Sequence, residues 1–291
     1  MMSDRMKSGE MKSKTRPEKK ETKEEKLNLE TYAKNTWCPG CGNFGVLKAF
    51  KNVATKLVEE GVNRGRIVIS SGIGCHGKIS DYIRLPSFHV IHGRVPPFLT
   101  GMKLANPDLI AVGFVGDGDS LNEGMEHMVH SARRNTDITL FLHNNGVFGL
   151  TTGQVTATSP KGFKGRSTPR GNPENPINPC ALMLVSGATF VARGYAGHMD
   201  RLEHIMYEAI KHRGFAFVEI LQPCVSFNNT WKLYNEKVRW VDGGSDDFYE
   251  ALKLCQDETL TGIFYRVSKE TFEDAVGEVE AEDVAEVLSR F

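Results

Sequence analysis

The sequence predicts an α/β fold, a central parallel sheet flanked by helices on both faces. Short apolar runs alternate with segments of helical periodicity, the order that builds parallel strands joined by helical crossovers. The runs are apolar on both sides of the strand, as they must be where helices cover both faces. A third observation concerns function. Cys75, Asp117, Asn145 and Cys224 all follow such runs, and ligands of open parallel sheets sit beyond the carboxyl ends of the strands.

Taken in order, residues 1–28 are charged and nearly free of large apolar side chains. Such a stretch cannot bury enough surface to offset its ordering entropy, so a disordered extension is expected, with a short helix docked on a partner as the second reading. Residues 43–63 have helical periodicity and residues 66–75 are a β-branched run ending in a glycine loop. A strand is expected within 108–119, a helix over 122–135 and a buried strand over 137–146. A loop rich in Gly, Thr, Ser and Pro follows over about 149–177. Then come a helix (179–188), a strand (188–195), a helix (198–214) and a strand (215–224). From about residue 228 the text is less regular and more charged. The expected organisation is an extension over 1–28, an α/β domain over 29–227, and a C-terminal arm over 228–291 that packs on the domain or on a partner.

Bulk properties exclude several classes. A chain of 291 residues suits one large α/β domain or two ordinary ones. The formal net charge is +0, so nothing points to nucleic acid. No run of roughly 18 apolar residues suggests a membrane span, and no apolar stretch near the N-terminus suggests secretion. A cytoplasmic protein is expected, and its 6 cysteines are then thiols or metal ligands rather than a disulfide framework.

Two motifs carry chemistry. "GDGD" at 116–119 follows one strand and "NN" at 144–145 ends the next. Gly116 and Gly118 allow close approach of a phosphate. Asp117 and Asn145 offer side-chain oxygens, and Val147 a carbonyl, to a small divalent cation such as Mg²⁺. The plain alternative is a pair of tight turns. The second motif is "WCPGC", with Cys38 and Cys41 in one turn. Zinc, a redox pair and an iron–sulfur cluster all use such a turn. Cys75 and Cys224 argue against a simple redox pair, while Cys180 and Cys255 lie in helix-like text as packing residues.

The GDG and NN pairing resembles the thiamine diphosphate fingerprint. "WCPGCG", "SGIGCHGK", "HGR", "KLANPDL", "GDGDSLNEG", "ARRN", "NNGVFGLTTGQ" and "QPC" occur in this order. Over about residues 30–265 the run resembles the thiamine diphosphate-binding beta subunit of 2-oxoacid:ferredoxin oxidoreductases, most closely the 2-oxoglutarate type. After GDGD the chain reads "SLNEGMEH", where many relatives have a segment richer in glycine and histidine. The resemblance implies thiamine diphosphate and Mg²⁺, the latter on Asp117, Asn145 and Val147. It also implies a [4Fe-4S] cluster on Cys38, Cys41, Cys75 and Cys224. Gly74, Cys75, His92, Gly116, Asp117, Gly118, Asp119, Leu150 and Thr151 are expected around the cofactor. The reaction implied is oxidative decarboxylation of a 2-oxoacid with coenzyme A as co-substrate and ferredoxin as electron acceptor. The glutamate that activates the aminopyrimidine is not identifiable in this chain, and in the resembled family an alpha subunit supplies it.

Four further residues have two readings each. Lys78 is either a solvated lysine or a cation that selects 2-oxoglutarate over pyruvate. Arg94 holds a carboxylate or phosphate, or forms an ion pair where two subunits meet. His76 and His92 carry protons or are structural. Pyruvate, branched-chain and aryl 2-oxoacids are the alternative substrates, and a non-redox decarboxylase subunit with structural zinc is the alternative chemistry.

Overall fold

The computed structural model describes residues 27–277; residues 1–26 of the charged extension expected over 1–28, and the segment from 278 onward, lie outside the described residues. The chain begins with α1 (Asn43–Glu59), β1 (Ile67–Ser71), β2 (Ser87–His89), α2 (Val95–Ala105), β3 (Ile110–Gly116), α3 (Asp117–Leu121) and α4 (Met125–Arg134). It continues with β4 (Thr139–Asn144), α5 (Pro179–Val185), β5 (Phe190–Tyr195), α6 (Met199–Lys211) and β6 (Ala216–Leu221). The last described elements are α7 (Trp231–Lys237), β7 (Arg239–Trp240), α8 (Phe248–Gln256), β8 (Leu260–Arg266) and α9 (Phe272–Val276).

The strands form one 8-stranded sheet in the order β2-β1-β3-β4-β6-β5-β8-β7. All pairings are parallel except β5 with β8. Every residue of β1, β5 and β6 is buried, which is why these strands read as mostly apolar runs with no polar face. The helices form two layers. The buried stripe of α1 (Val46, Phe50, Val53, Leu57) recurs at helical spacing and packs with Leu202 and Ile205 of α6 on one face. Leu99 of α2, Met128 of α4, Met183 of α5 and Ala251 of α8 cover the other.

The strand order reverses at β1 and β3: the chain leaves β1 outward to β2, then returns to the other side of β1. The carboxyl ends of the neighbouring strands β1, β3, β4 and β6 lie side by side. Register places Ser71 opposite Phe114, Gly116 opposite His143, and Asn144 opposite Leu221. The segments that follow these strands therefore share one rim.

Three features depart from the sequence expectation. Helix α2 is absent from that reading because "VPPFLTGMKLA" holds two prolines, but these occupy its first turn, where no intrahelical N–H is needed. The helix expected over 122–135 begins at Met125. Gly93 and Gly124 touch there: a Cβ on Gly93 would lie 2.4 Å from the Glu123 carbonyl oxygen, so backbone contact ends the short α3 and starts α4. Residues from 228 onward, read as an arm, donate β8 to the central sheet beside β5 and add β7 at its edge.

Candidate active site

Two adjoining cavities open along the rim. The first is lined by Gly74 and His76 after β1, by residues 116–119 after β3, and by Asn145, Val147 and Leu150 after β4. The second is lined by Cys38, Cys41, Cys75 and Cys224, with Lys78 and Gln222 beside them. Cys75, Asn145, Gly149 and Leu150 line both, so the two cavities share a wall.

In the first cavity Asp117 is 2% exposed. Its Oδ2 accepts from the Thr156 hydroxyl at 2.5 Å and the Thr158 hydroxyl at 2.8 Å. Burial nonetheless pushes its carboxyl up from the usual range, against these hydrogen bonds. The Asn145 Oδ1 accepts from Val147 N at 3.0 Å, and its Nδ2 donates to Gln222 at 3.0 Å. Asp117, Asn145 and Val147 thus meet in one cavity as hard oxygen donors. The space beside the two glycines is taken by rings: a Cβ would lie 2.6 Å from His76 at Gly116 and 2.4 Å from Phe148 at Gly118.

Asp119 organises the loops. Its Oδ1 accepts from Ile73 N at 3.1 Å and from Gly93 N at 3.1 Å, and lies 3.0 Å from His92 Nδ1. Burial drives its carboxyl up, but the His76 ring and these N–H groups outweigh burial and hold it below the usual value. His76 Nε2 is 3.4 Å from Asp119 Oδ2 but off the hydrogen-bond direction, and neither atom has a hydrogen-bond partner among the described residues. Thr151, at the mouth, donates to Gln154 at 2.7 Å. Arg94 lines neither cavity. Its guanidinium donates to the His92 carbonyl at 3.2 Å and the Glu123 carbonyl at 2.9 Å, with Glu126 4.0 Å away.

In the second cavity the Cys38–Cys41 turn closes through Cys41 N to Cys38 O at 3.0 Å, and Gly42 N joins it to Pro223 O at 3.1 Å. Trp37 Nε1 donates to the Cys75 carbonyl at 2.6 Å and so pins the Cys75 loop. Gln222 Nε2 is 3.5 Å from Cys41 Sγ, and Ser226 Oγ is 3.3 Å from Cys38 Sγ. Burial pushes the Cys41 thiol up to about 11, and the Cys224, Cys75 and Cys38 sulfurs add to it. Burial also raises Cys75, while the Lys78 ammonium opposes that rise. Lys78 is half-buried, donates to Thr36 at 3.0 Å and lines this cavity.

The four cysteines line one cavity and together offer four sulfur donors, a set that suits zinc or an iron–sulfur cluster. Among the described residues no group of three His, Cys, Asp or Glu side chains is gathered tightly enough to hold one metal ion. A tetrahedral zinc draws its sulfurs to about 2.3 Å from one point, whereas a cluster spreads four thiolates around a larger body. Opposite the sulfurs, Gly149 leaves room: a Cβ there would sit 3.6 Å from Cys75 Sγ and 3.7 Å from Cys224 Sγ. Cys180 and Cys255 are fully buried in the helical layer away from both cavities.

Residues that sequence reasoning missed include Thr156, Thr158, Trp37 and Phe148. Threonines in a Thr-rich loop carry no distinguishing pattern, whereas Gln222 stands within the QPC motif.

Residues 72–220 match the thiamine pyrophosphate enzyme C-terminal TPP binding domain, and residues 224–281 match the C-terminal family of the pyruvate ferredoxin oxidoreductase beta subunit. The chain is 43% identical over 252 residues to a 2-oxoacid:ferredoxin oxidoreductase subunit beta of a Sulfolobus species, covering 80% of this chain and 82% of that protein. It is 41% identical over 188 residues to the 2-oxoglutarate synthase subunit KorB of Archaeoglobus fulgidus, covering 65% of this chain and 69% of that one. A solved structure described as 2-oxoglutarate:ferredoxin oxidoreductase from Magnetococcus marinus with 2-oxoglutarate, coenzyme A and succinyl-CoA bound superimposes with a TM-score of 0.82. The identity is 33%, with 90% of this chain and 94% of that chain covered.

Proposed function

Because the chain belongs to the family of 2-oxoacid:ferredoxin oxidoreductase beta subunits, we propose that it holds thiamine diphosphate with Mg²⁺ and one [4Fe-4S] cluster. We further propose that, together with an alpha subunit, it converts 2-oxoglutarate to succinyl-CoA, passing electrons to ferredoxin. The observation that carries this reading is the shared wall between the cavity of Asp117 and Asn145 and the cavity of four cysteines. When bound, thiamine diphosphate supplies the electron sink for loss of CO₂ and the cluster accepts electrons singly.

The chain's own residues orient and enclose. Asp117 and Asn145 present side-chain oxygens, and Val147 its carbonyl, to the divalent ion. Cys75 serves both cavities, so its thiolate can bind iron while its loop, pinned by Trp37, forms the wall of the cofactor site. Burial, and in smaller part the neighbouring sulfurs, raise the Cys41 thiol, and a positively charged iron core would offset the cost of its thiolate. The glutamate that activates the aminopyrimidine is expected from an alpha subunit, the partner implied by the beta-subunit relatives.

The test is to purify the alpha–beta complex without oxygen and assay iron, sulfide and zinc, then turnover. About four irons per beta chain with matching sulfide is expected, with CoA-dependent turnover by the complex and none by beta alone. Zinc near one per chain without sulfide, or robust turnover by beta alone, overturns the reading.

Lys78 is proposed to pair with the second carboxylate of 2-oxoglutarate from its place beside the cysteines. Lys78→Ile is expected to raise KM for 2-oxoglutarate about 10-fold or more, from loss of a charge-assisted bond, and to leave KM for pyruvate nearly unchanged. Equal effects on both substrates would remove Lys78 from the substrate site.

A further inference from the structure

A row of hydrogen bonds runs from the outer half of the sheet to Asp117. Arg193 on β5 and Glu219 on β6 are paired in register and are 1% and 2% exposed. Arg193 Nε donates to Glu219 Oε2 at 2.7 Å. The rest of the guanidinium donates to the carbonyls of Asp257 at 2.7 Å and Cys255 at 3.3 Å, which fixes its plane. Glu219 Oε1 accepts from Asn144 Nδ2 at 2.7 Å. Asn144 Oδ1 then faces the Thr158 hydroxyl at 2.8 Å, and that hydroxyl is also 2.8 Å from Asp117 Oδ2.

The chemistry of each group restricts the next. A carboxylate only accepts, so Asn144 must turn its nitrogen to Glu219 and its oxygen to Thr158. Thr158 has one hydroxyl proton and two near acceptors, Asn144 and Asp117, with the Thr156 hydroxyl farther off at 3.3 Å. Asn144 therefore competes with Asp117 for that proton and leaves more of the carboxylate's charge for a cation. Were the amide of Asn144 free to flip, it would donate to Thr158, and the Thr158 proton would go wholly to Asp117.

We propose that Glu219, held by Arg193, is a positioning residue that acts through Asn144 and Thr158 to keep Asp117 receptive to the divalent ion. The proposal rests on the reading of Asp117 as an ion ligand. It assigns a function to a buried ion pair that the fold alone does not require, since apolar residues often replace such pairs without loss of stability.

The experiment measures the Mg²⁺ dependence of thiamine diphosphate binding to the alpha–beta complex by calorimetry, without turnover. Glu219→Gln releases the amide of Asn144 and is expected to raise the half-saturating Mg²⁺ concentration about 10-fold, as loss of groups behind metal ligands commonly does. The same substitution in a Thr158→Val background, where no hydroxyl proton is left to redirect, is expected to change nothing further. Should Glu219→Gln fail to fold, Asn144→Leu cuts the row at its centre and is expected to give the same shift. An unchanged Mg²⁺ dependence, or an equal shift with and without Thr158, overturns the proposal. Wild-type complex that binds thiamine diphosphate without any Mg²⁺ dependence overturns the reading of Asp117 itself, and the proposal with it.

Discussion

Asp117→Asn is expected to abolish thiamine diphosphate binding and turnover while raising the melting temperature of the metal-free protein. The two effects have one cause. Asp117 is 2% exposed, and burial raises its carboxyl above the usual value. A carboxyl that binds its proton more tightly when folded contributes stability at low pH, and this contribution is lost as pH rises through the folded value. At neutral pH, without a cation, the buried charge therefore opposes folding. Asparagine keeps the shape and still accepts from Thr156 and Thr158, but it carries no charge. About 1 kcal/mol of relief corresponds to about 2–4 °C in a chain of this size. Loss of the anionic ligand is expected to lower turnover at least about 100-fold, since a catalytic metal contributes several kcal/mol. Calorimetry with and without Mg²⁺ and thiamine diphosphate checks both. A variant that still binds the cofactor in a Mg²⁺-dependent way would take Asp117 out of the ion site.

Cys75→Ser is expected to lose most iron and sulfide, and at least about 100-fold of acceptor reduction, because thiolate rather than hydroxyl binds iron. The matching control is Cys255→Ala, in the packed layer beside α5. It is expected to keep its iron and to cost stability, roughly 1–3 kcal/mol for a buried side chain trimmed to a smaller one. Iron and sulfide per chain, with denaturant unfolding, separate the two. Full iron retention in Cys75→Ser would leave only three of the four expected thiolates as candidates.

The central strands are legible in the sequence because each is mostly apolar on both faces and most are followed by a glycine- or cysteine-bearing turn. The same property hides Arg193 and Glu219. Each stands alone in an apolar run, and nothing in one strand announces that its charge is matched by a neighbour from 26 residues away. The short strand β2, exposed at all three positions, carries no apolar pattern at all. Strand β8 escapes the sequence reading because it enters the sheet antiparallel, outside the regular alternation, after a charged and irregular stretch.

The sequence by itself determined the chemistry available: which residues offer thiolates, which offer hard oxygens, and that both stand where strands end. Those facts depend on residue type and short-range spacing. Only the tertiary structure decided which of them meet. Strand order sets β1, β3, β4 and β6 side by side, bringing Cys75, Asp117, Asn145 and Cys224 to one rim while Arg94 turns to loop carbonyls. It also decided what lies behind Asp117, because a hydrogen-bonded row crossing three strands exists only once their register is fixed.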